Sequence, residues 1–196
     1  MVISIFLCIL SSKLKNMTYK HLMVDIETLG TTPEAAMLSI GIVPFNSILD
    51  IGPKVLYEIC LKDALQFGKL SSETLQWWTN QPPEQYKKLI TLGNLKTLDA
   101  LKGLQGICDY LMVDGFKIWA NGPDFDLEII EHKMDQLNIT PPWTPWNQSC
   151  VRTIKAIDPT LAKSFINLEK HDPVQDCLVQ INQVCAINEK YKLNLI

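Results

Sequence analysis

Three apolar runs near the start of the chain predict β-strands over residues 22–27, 37–45 and 54–60. The first run is almost wholly apolar and ends in two acids that flank Ile26, whereas the third has the alternating pattern of a half-buried strand. The short connections between the runs are typical of an antiparallel meander. A fourth, shorter strand is predicted over residues 117–120.

Helical periodicity dominates the rest of the chain. Ser72 is the expected N-cap of the first helix, Asp114 and Gly115 are expected to end the third, and Asp172 with Pro173 is expected to begin the last. The pattern predicts an α/β domain with a mixed sheet rather than an alternating βαβ nucleotide fold. The predicted helices cover residues 73–79, 84–90, 98–112, 125–137, 151–157 and 173 onward.

Composition places the chain among ordinary globular proteins. Of its 196 residues, 47% are apolar and 20% are charged, which excludes intrinsic disorder and suits one domain over residues 17–196. The six cysteines are scattered without metal-ligand spacing, which is typical of free thiols in a reducing compartment such as the host or bacterial cytoplasm. The net charge of −3 excludes a strongly basic nucleic-acid binder.

The first residues of the chain form a separate segment. Residues 1–10 are apolar, but a membrane helix needs about 18–20 such residues, and no basic residue precedes them as in a signal peptide. Met17 opens the segment that leads into the first predicted strand and is the expected functional start. Residues 1–16 are therefore expected to be an unstructured extension or to lie outside the functional protein, with a degenerate export signal as the alternative.

The most informative triplet is Asp25, Ile26 and Glu27 at the end of the first strand. Residues two apart on a strand point to the same face, so the two carboxylates project together. Burying two like charges is costly unless cations neutralise them, and hard oxygen ligands suit Mg²⁺ or Mn²⁺. The alternative is a strand that simply ends in solvent at Glu27.

Two further acidic groups stand at predicted helix starts. Asp126 follows Phe125 in the first turn of one helix, and Asp176 lies in the first turn of the last helix, with His171 on the preceding loop. Singly, these residues have ordinary explanations. The acids complement the helix dipole, Asp124 caps its helix, Phe125 packs in the core, and His171 is a surface or capping residue.

Together, a D-x-E strand, an F-D helix start and an H-x4-D helix start, in this order, resemble the DEDDh family of 3′–5′ exonucleases. The resemblance covers about residues 20–187. Pro173 departs from the family, which often has alanine at that position. The segments that extend the match, some of them toward the branch of phage exonuclease A and related exoribonucleases, are residues 25–30, 38–41, 72–78, 119–126 and 151–153.

The resemblance implies an RNase H-like α/β fold with a five-stranded mixed sheet flanked by helices. It also implies two divalent cations, Mg²⁺ or Mn²⁺, held by Asp25, Glu27, Asp126 and Asp176, with His171 as general base. The implied reaction is hydrolysis of phosphodiester bonds at the 3′ end of single-stranded DNA or RNA. No membrane partner is expected, and a homodimer is a possible assembly because relatives active on RNA are often dimers.

Residues beside these acids are expected to bind the substrate. Trp77 and Trp78 are adjacent and cannot share one helix face, so one is expected in the core while the other stacks on a base. Trp143 and Trp146, on a proline-rich loop, are further candidates for stacking. The residues assigned to substrate binding are Thr28, Leu29, Trp78, Asn121 and Phe125.

Three alternative functions remain open on the sequence. A haloacid-dehalogenase-type phosphatase also starts from an acidic pair at a strand end, although its second acid is not Glu. The other two are a catalytically degenerate RNase H-like module that binds nucleic acid and a site for one structural cation. The charge no longer argues against nucleic acid, because removing the four proposed ligands from the 21 acids leaves 17, one fewer than the 18 lysines and arginines.

Overall fold

The computed structural model describes residues 18–83, 85, 87, 93–167, 169 and 171–196. The expectation for residues 1–16 lies outside this part, as does most of the helix expected over residues 84–90. The strands are β1 (Tyr19–Thr28), β2 (Met37–Ser47), β3 (Asp50–Ile51), β4 (Val55–Glu58), β5 (Met112–Ala120) and β6 (Gln148–Cys150). The helices are α1 (Leu61–Phe67), α2 (Ser72–Thr79), α3 (Thr97–Leu111), α4 (Asp126–Gln136), α5 (Val151–Lys155), α6 (Pro159–Ser164) and α7 (Pro173–Tyr191), with a 3₁₀ turn at Pro145–Asn147.

The strands form one mixed sheet in the order β3-β2-β1-β5-β6, and β4 also pairs with β2. β1 is antiparallel to β2 and parallel to β5, and β5 is parallel to β6. The prediction of an α/β fold with a mixed sheet flanked by helices is therefore confirmed. The described residues give six strands, because β3 and β6 join the four that were predicted by position, whereas the resemblance implied five.

Helices cover both faces of the sheet. Leu22, Val24 and Ile26 of β1 belong to the core that includes residues of α3 and α4, whereas Met23 belongs to the core formed with α7. Because side chains alternate along a strand, Asp25 and Glu27 must share the face of Met23, toward α7. Within the described ranges, no helix is long and apolar enough to cross a membrane.

The predicted end of α3 and the predicted N-cap of α2 are wrong. α3 passes directly into β5 at Met112, so Asp114 and Gly115 lie inside a strand rather than ending a helix. The apolar spacing continues to Met112, but pairing of Met112 with Tyr19 of β1 draws this residue into the sheet. The N-cap of α2 is Ser71 rather than Ser72, because the Ser71 hydroxyl accepts a hydrogen bond from the Thr74 amide at 3.2 Å.

The start of α7 is as predicted, and it lies unusually close to the sheet. The Asp172 side chain caps the helix by accepting hydrogen bonds from two backbone amides, and Pro173 is the first helical residue. A methyl group on Gly41 of β2 would lie 2.5 Å from the carbonyl carbon of Pro173, so only glycine permits this approach. Since Gly41 pairs with Asp25, the approach brings the first turn of α7 beside Asp25.

Candidate active site

Three predicted acids converge between β1 and α7. One carboxylate oxygen from each of Asp25, Glu27 and Asp176 lies within 4.8 Å of the others. Glu27 is only 9% exposed, and Asp25 and Asp176 are half-buried. The strand period of two places the first pair, and the close packing of α7 against Gly41 brings in the third. The site is therefore assembled from residues far apart in the chain.

Neighbouring amides orient two of these carboxylates. Asn167 donates its side-chain amide to Asp176 Oδ1 at 2.6 Å, and the His171 backbone amide donates to Asp176 Oδ2 at 3.1 Å. Gln180 donates to Asp25 Oδ1 at 2.8 Å. The sequence interpretation missed Asn167 and Gln180. Gln180 follows Asp176 by four positions, a spacing that puts both on one face of α7 and was the available signal.

Asp126, the first residue of α4, is the fourth acid, and its charge contributes, after burial, to the raised pKa of Asp25. It is 4% exposed, and its Oδ1 accepts a hydrogen bond from the Ile26 backbone amide at 3.2 Å, between Asp25 and Glu27. It lies outside the group of three carboxylates defined above. Asp124 does not cap α4, whose N-cap is Phe125 without a side-chain hydrogen bond.

Asp25, Glu27, Asp126 and Asp176 together form the acidic cluster, and burial and mutual repulsion raise the pKa values of its carboxyl groups. Burial first, and then the charges of the neighbouring acids, raise the pKa of Asp25 and of Glu27 well above the ordinary range. Burial raises the pKa of Asp126 to about 7, although backbone amides at Ile26 and Gly122 oppose this. Burial also raises the pKa of Asp176, against the effect of its hydrogen bond from Asn167.

The donor set fits hard divalent cations. Carboxylate oxygens are the ligands that Mg²⁺ and Mn²⁺ prefer, and a cation among them would offset the repulsion that raises their pKa values. The same charges without a cation are costly to bury. The acidic cluster is therefore suited to divalent metal binding.

His171 stands beside the cluster in an unusual backbone conformation. Its φ of +62° lies in the left-handed region, which non-glycine residues seldom adopt. Its Nδ1 lies 3.9 Å from Glu27 Oε1. The ring packs edge-on against Trp77 and Trp78, with centroid distances of 5.0 and 5.4 Å. These contacts hold the imidazole at the mouth of the site.

The adjacent tryptophans separate into a buried and an exposed residue, and Trp78, which was assigned to substrate binding, is the buried one. Trp78 is 2% exposed, and its indole N–H donates to the Thr28 carbonyl at 3.0 Å, so it belongs to the core. Trp77 is 45% exposed and is the tryptophan with a face open to solvent beside His171. Of the other pair, Trp143 is buried and donates to Glu131 at 2.6 Å, whereas Trp146 is exposed.

The other predicted substrate residues occupy the edges of the site. Thr28 and Leu29 are buried directly after Glu27, with the Thr28 hydroxyl donating to the Gly30 carbonyl at 2.6 Å. Phe125 is half-buried and packs against the core, in agreement with the simpler explanation for it. Asn121 is half-buried at the end of β5, and both of its oxygens accept hydrogen bonds from basic side chains.

Comparison with known proteins places this arrangement in a family. A family model described as "3'-5' exoribonuclease Rv2179c-like domain" matches residues 20–188. The exodeoxyribonuclease of Enterobacteria phage T4 is 24% identical over 194 residues, which cover 81% of this chain and 84% of that protein. The family match covers every acid of the cluster and His171.

Solved structures share the fold. The zinc-bound complex of E. coli ExoI with single-stranded DNA aligns with a TM-score of 0.66 at 13% identity, over 90% of this chain and 42% of that one. The RNase domain of yeast Pop2 aligns with a TM-score of 0.62 at 13% identity, over 96% and 81%. This chain spans about two-fifths of the length of ExoI. With residues 20–188 matched, it belongs to the 3′–5′ exoribonuclease Rv2179c-like domain family, among the DEDD-type 3′–5′ exonucleases of RNase H-like fold.

Proposed function

We propose that this chain removes nucleotides one at a time from the 3′ end of single-stranded DNA or RNA, using two divalent cations. The observation that carries the proposal is the convergence of Asp25, Glu27 and Asp176, with Asp126 anchored to the backbone between the first two. A structural cation does not require a histidine at the mouth of its site, whereas hydrolysis requires a proton acceptor there. His171 fills that place.

The chain's own groups have distinct roles in the proposed reaction. When bound, the cations supply positive charge that activates a water molecule and stabilises the leaving 3′ oxygen. Asp25, Glu27, Asp126 and Asp176 are the residues that would hold these cations. His171 accepts the proton of the attacking water on its imidazole, whose Nδ1 faces the Glu27 carboxylate. Hydrogen bonds from Asn167 and Gln180 keep the carboxylates in place.

Trp77 is the proposed base-stacking residue. Its indole is 45% exposed and contacts the His171 ring, so a base stacked on it lies next to the reacting end of the strand. Stacking of a base on an aromatic side chain contributes about 1–3 kcal/mol and tolerates any base. Thr28 and Leu29 are buried beside the same region, where Trp78 donates to the Thr28 carbonyl.

The proposal includes both DNA and RNA as substrates. The matched family is described as an exoribonuclease domain, whereas the phage relative is an exodeoxyribonuclease. Digestion of 5′-labelled DNA and RNA strands of one sequence, with Mg²⁺ and with Mn²⁺, tests it. We expect metal-dependent shortening of at least one strand by wild type and by Asp135→Asn, which changes an exposed acid on α4. Binding of both strands without shortening would instead support the degenerate binding module.

A further inference from the structure

Two basic side chains converge on Asn121 at one side of the acidic cluster. Arg152 of α5 donates Nε–H to the Asn121 carbonyl at 2.6 Å, and Lys155, one turn later, donates to Asn121 Oδ1 at 3.1 Å. Asn121, which follows β5, therefore orients both of these basic side chains. Asn121, which the sequence interpretation assigned to the substrate, uses both of its oxygens for this purpose.

A glycine lets the Arg152 guanidinium reach this position. Any side chain on Gly122 would overlap the guanidinium, so the group lies directly over the Gly122 backbone. The Gly122 carbonyl accepts the Asp126 amide at 3.1 Å, which begins α4. The Arg152 guanidinium therefore lies over the turn that precedes Asp126, and its positive charge lowers the pKa of the Asp126 carboxyl.

The guanidinium retains donors for a ligand. The Arg152 side chain is 56% exposed, and among the described residues its hydrogen bond uses Nε, which leaves the Nη donors for another acceptor. Asp124 Oδ1 lies 3.6 Å from Nη2 but is itself 77% exposed, so this ion pair is weak. The planar fork of a guanidinium matches the oxygens of a phosphate.

We propose that Arg152, positioned by Asn121 and assisted by Lys155, binds a phosphate of the substrate strand. The inference rests on the proposed function and identifies one side of its binding groove. Trp77 contacts His171, which lies beside Glu27, whereas Arg152 lies over the Gly122 turn that precedes Asp126, so the two residues neighbour different acids of the cluster. A strand crossing the site meets an aromatic face on one side and a fixed cation on the other.

Steady-state kinetics on a labelled single strand test this role, using Arg152→Gln, Arg152→Lys and a control, Lys102→Gln, that removes one exposed charge from α3. For Arg152→Gln we expect KM to rise about tenfold, because a charge-assisted hydrogen bond is lost. We expect kcat to change less than about twofold, because the contact is made equally in the ground and transition states. Arg152→Lys should recover part of the loss, and Lys102→Gln should match wild type.

Salt dependence separates phosphate binding from a purely structural role. Each phosphate contact of a single strand contributes about 0.7 to the slope of log affinity against log salt, so Arg152→Gln should lower the slope by about that amount. An unchanged slope and KM in a folded Arg152→Gln protein would overturn the inference, as would an equal change in Lys102→Gln. If Arg152→Gln fails to fold, Arg152→Lys carries the test. Lysine keeps the charge but not the planar fork of the guanidinium, so we expect a raised KM with an unchanged salt slope, and a wild-type KM would overturn the inference.

Binding without turnover keeps this inference separate from the proposed function. Fluorescence anisotropy in a Glu27→Gln background, with and without Arg152→Gln, measures strand affinity in a protein expected to be inactive. If wild type shortened no strand but Arg152→Gln still weakened binding and lowered the salt slope, the proposed function would fail while the phosphate contact stood. Turnover by wild type together with unchanged binding would refute the phosphate contact alone.

Discussion

Replacing Asp126 by Asn should stabilise the metal-free protein while weakening its response to metal. Asp126 is 4% exposed and has its pKa raised to about 7 by burial. Asn has nearly the same shape and retains one oxygen to accept the Ile26 amide, so the substitution mainly removes the charge. The buried negative charge is therefore the property that the experiment isolates.

The magnitude follows from the shift in pKa. The difference between an ordinary value of 3.8 and about 7 corresponds to a free energy of about 4 kcal/mol. Because the pKa is raised in the folded state, the protonated carboxyl favours folding. This contribution to stability is fully present below about pH 4 and is lost as the pH rises through about 7. Asn does not titrate, so its advantage over Asp should be larger at pH 8 than at pH 5.

Thermal unfolding in EDTA at the two pH values measures this difference. Relaxation around the site absorbs part of the energy, so we expect a gain of about 2 kcal/mol at pH 8, equivalent to about 4–8 °C in Tm. Asp135→Asn, on the exposed face of the same helix, is the control and should behave as wild type. Added Mn²⁺ should raise the Tm of wild type more than that of Asp126→Asn.

Two results would refute this reasoning. If Asp126→Asn and Asp135→Asn showed the same dependence of Tm on pH, the Asp126 carboxylate would not be a buried charge in the folded protein. If Mn²⁺ raised the Tm of Asp126→Asn as much as that of wild type, Asp126 would not contribute to cation binding.

Three other substitutions give distinct outcomes. Trp77→Ala should raise KM with little loss of stability, whereas Trp78→Ala should lower the free energy of unfolding by about 3–5 kcal/mol; equal stabilities in chemical denaturation would contradict their assignment to surface and core. His171→Ala should slow turnover but leave the Mn²⁺ affinity from isothermal titration unchanged, and a lost affinity would make His171 a ligand. Gly41→Ala should displace α7 through its contact with Pro173, lowering both Tm and Mn²⁺ affinity, and wild-type values for both would disprove the tight packing.

The acids could be predicted because local rules place them. The alternation of a strand puts Asp25 and Glu27 on one face, and the Asp172–Pro173 start fixes Asp176 in the first turn of α7. These features need no knowledge of distant residues. The resemblance to a known family then supplied the fact that the pieces belong to one site.

Other features depend on tertiary contacts that no local pattern contains. Adjacent residues on a helix point in different directions, so only one of Trp77 and Trp78 packs in the core. The hydrogen bond from Trp78 to the Thr28 carbonyl holds Trp78 there. Asn167 and Gln180 acquire their roles only because α7 packs against β1. The helical spacing of α3 does not reveal that Met112 pairs with Tyr19, because Tyr19 is distant from Met112 in the sequence.

The most direct test of the central claim is the direction and metal dependence of strand shortening. A 5′-labelled single strand with a free 3′ hydroxyl and the same strand with a blocked 3′ end are each incubated with Mn²⁺ and wild type, Asp126→Asn or Asp135→Asn. We predict a ladder that shortens from the free 3′ end with wild type and Asp135→Asn, and intact strand with Asp126→Asn, with EDTA or with the blocked end. Shortening of the blocked strand, or undiminished shortening by Asp126→Asn, would contradict a 3′ exonuclease site built on these carboxylates.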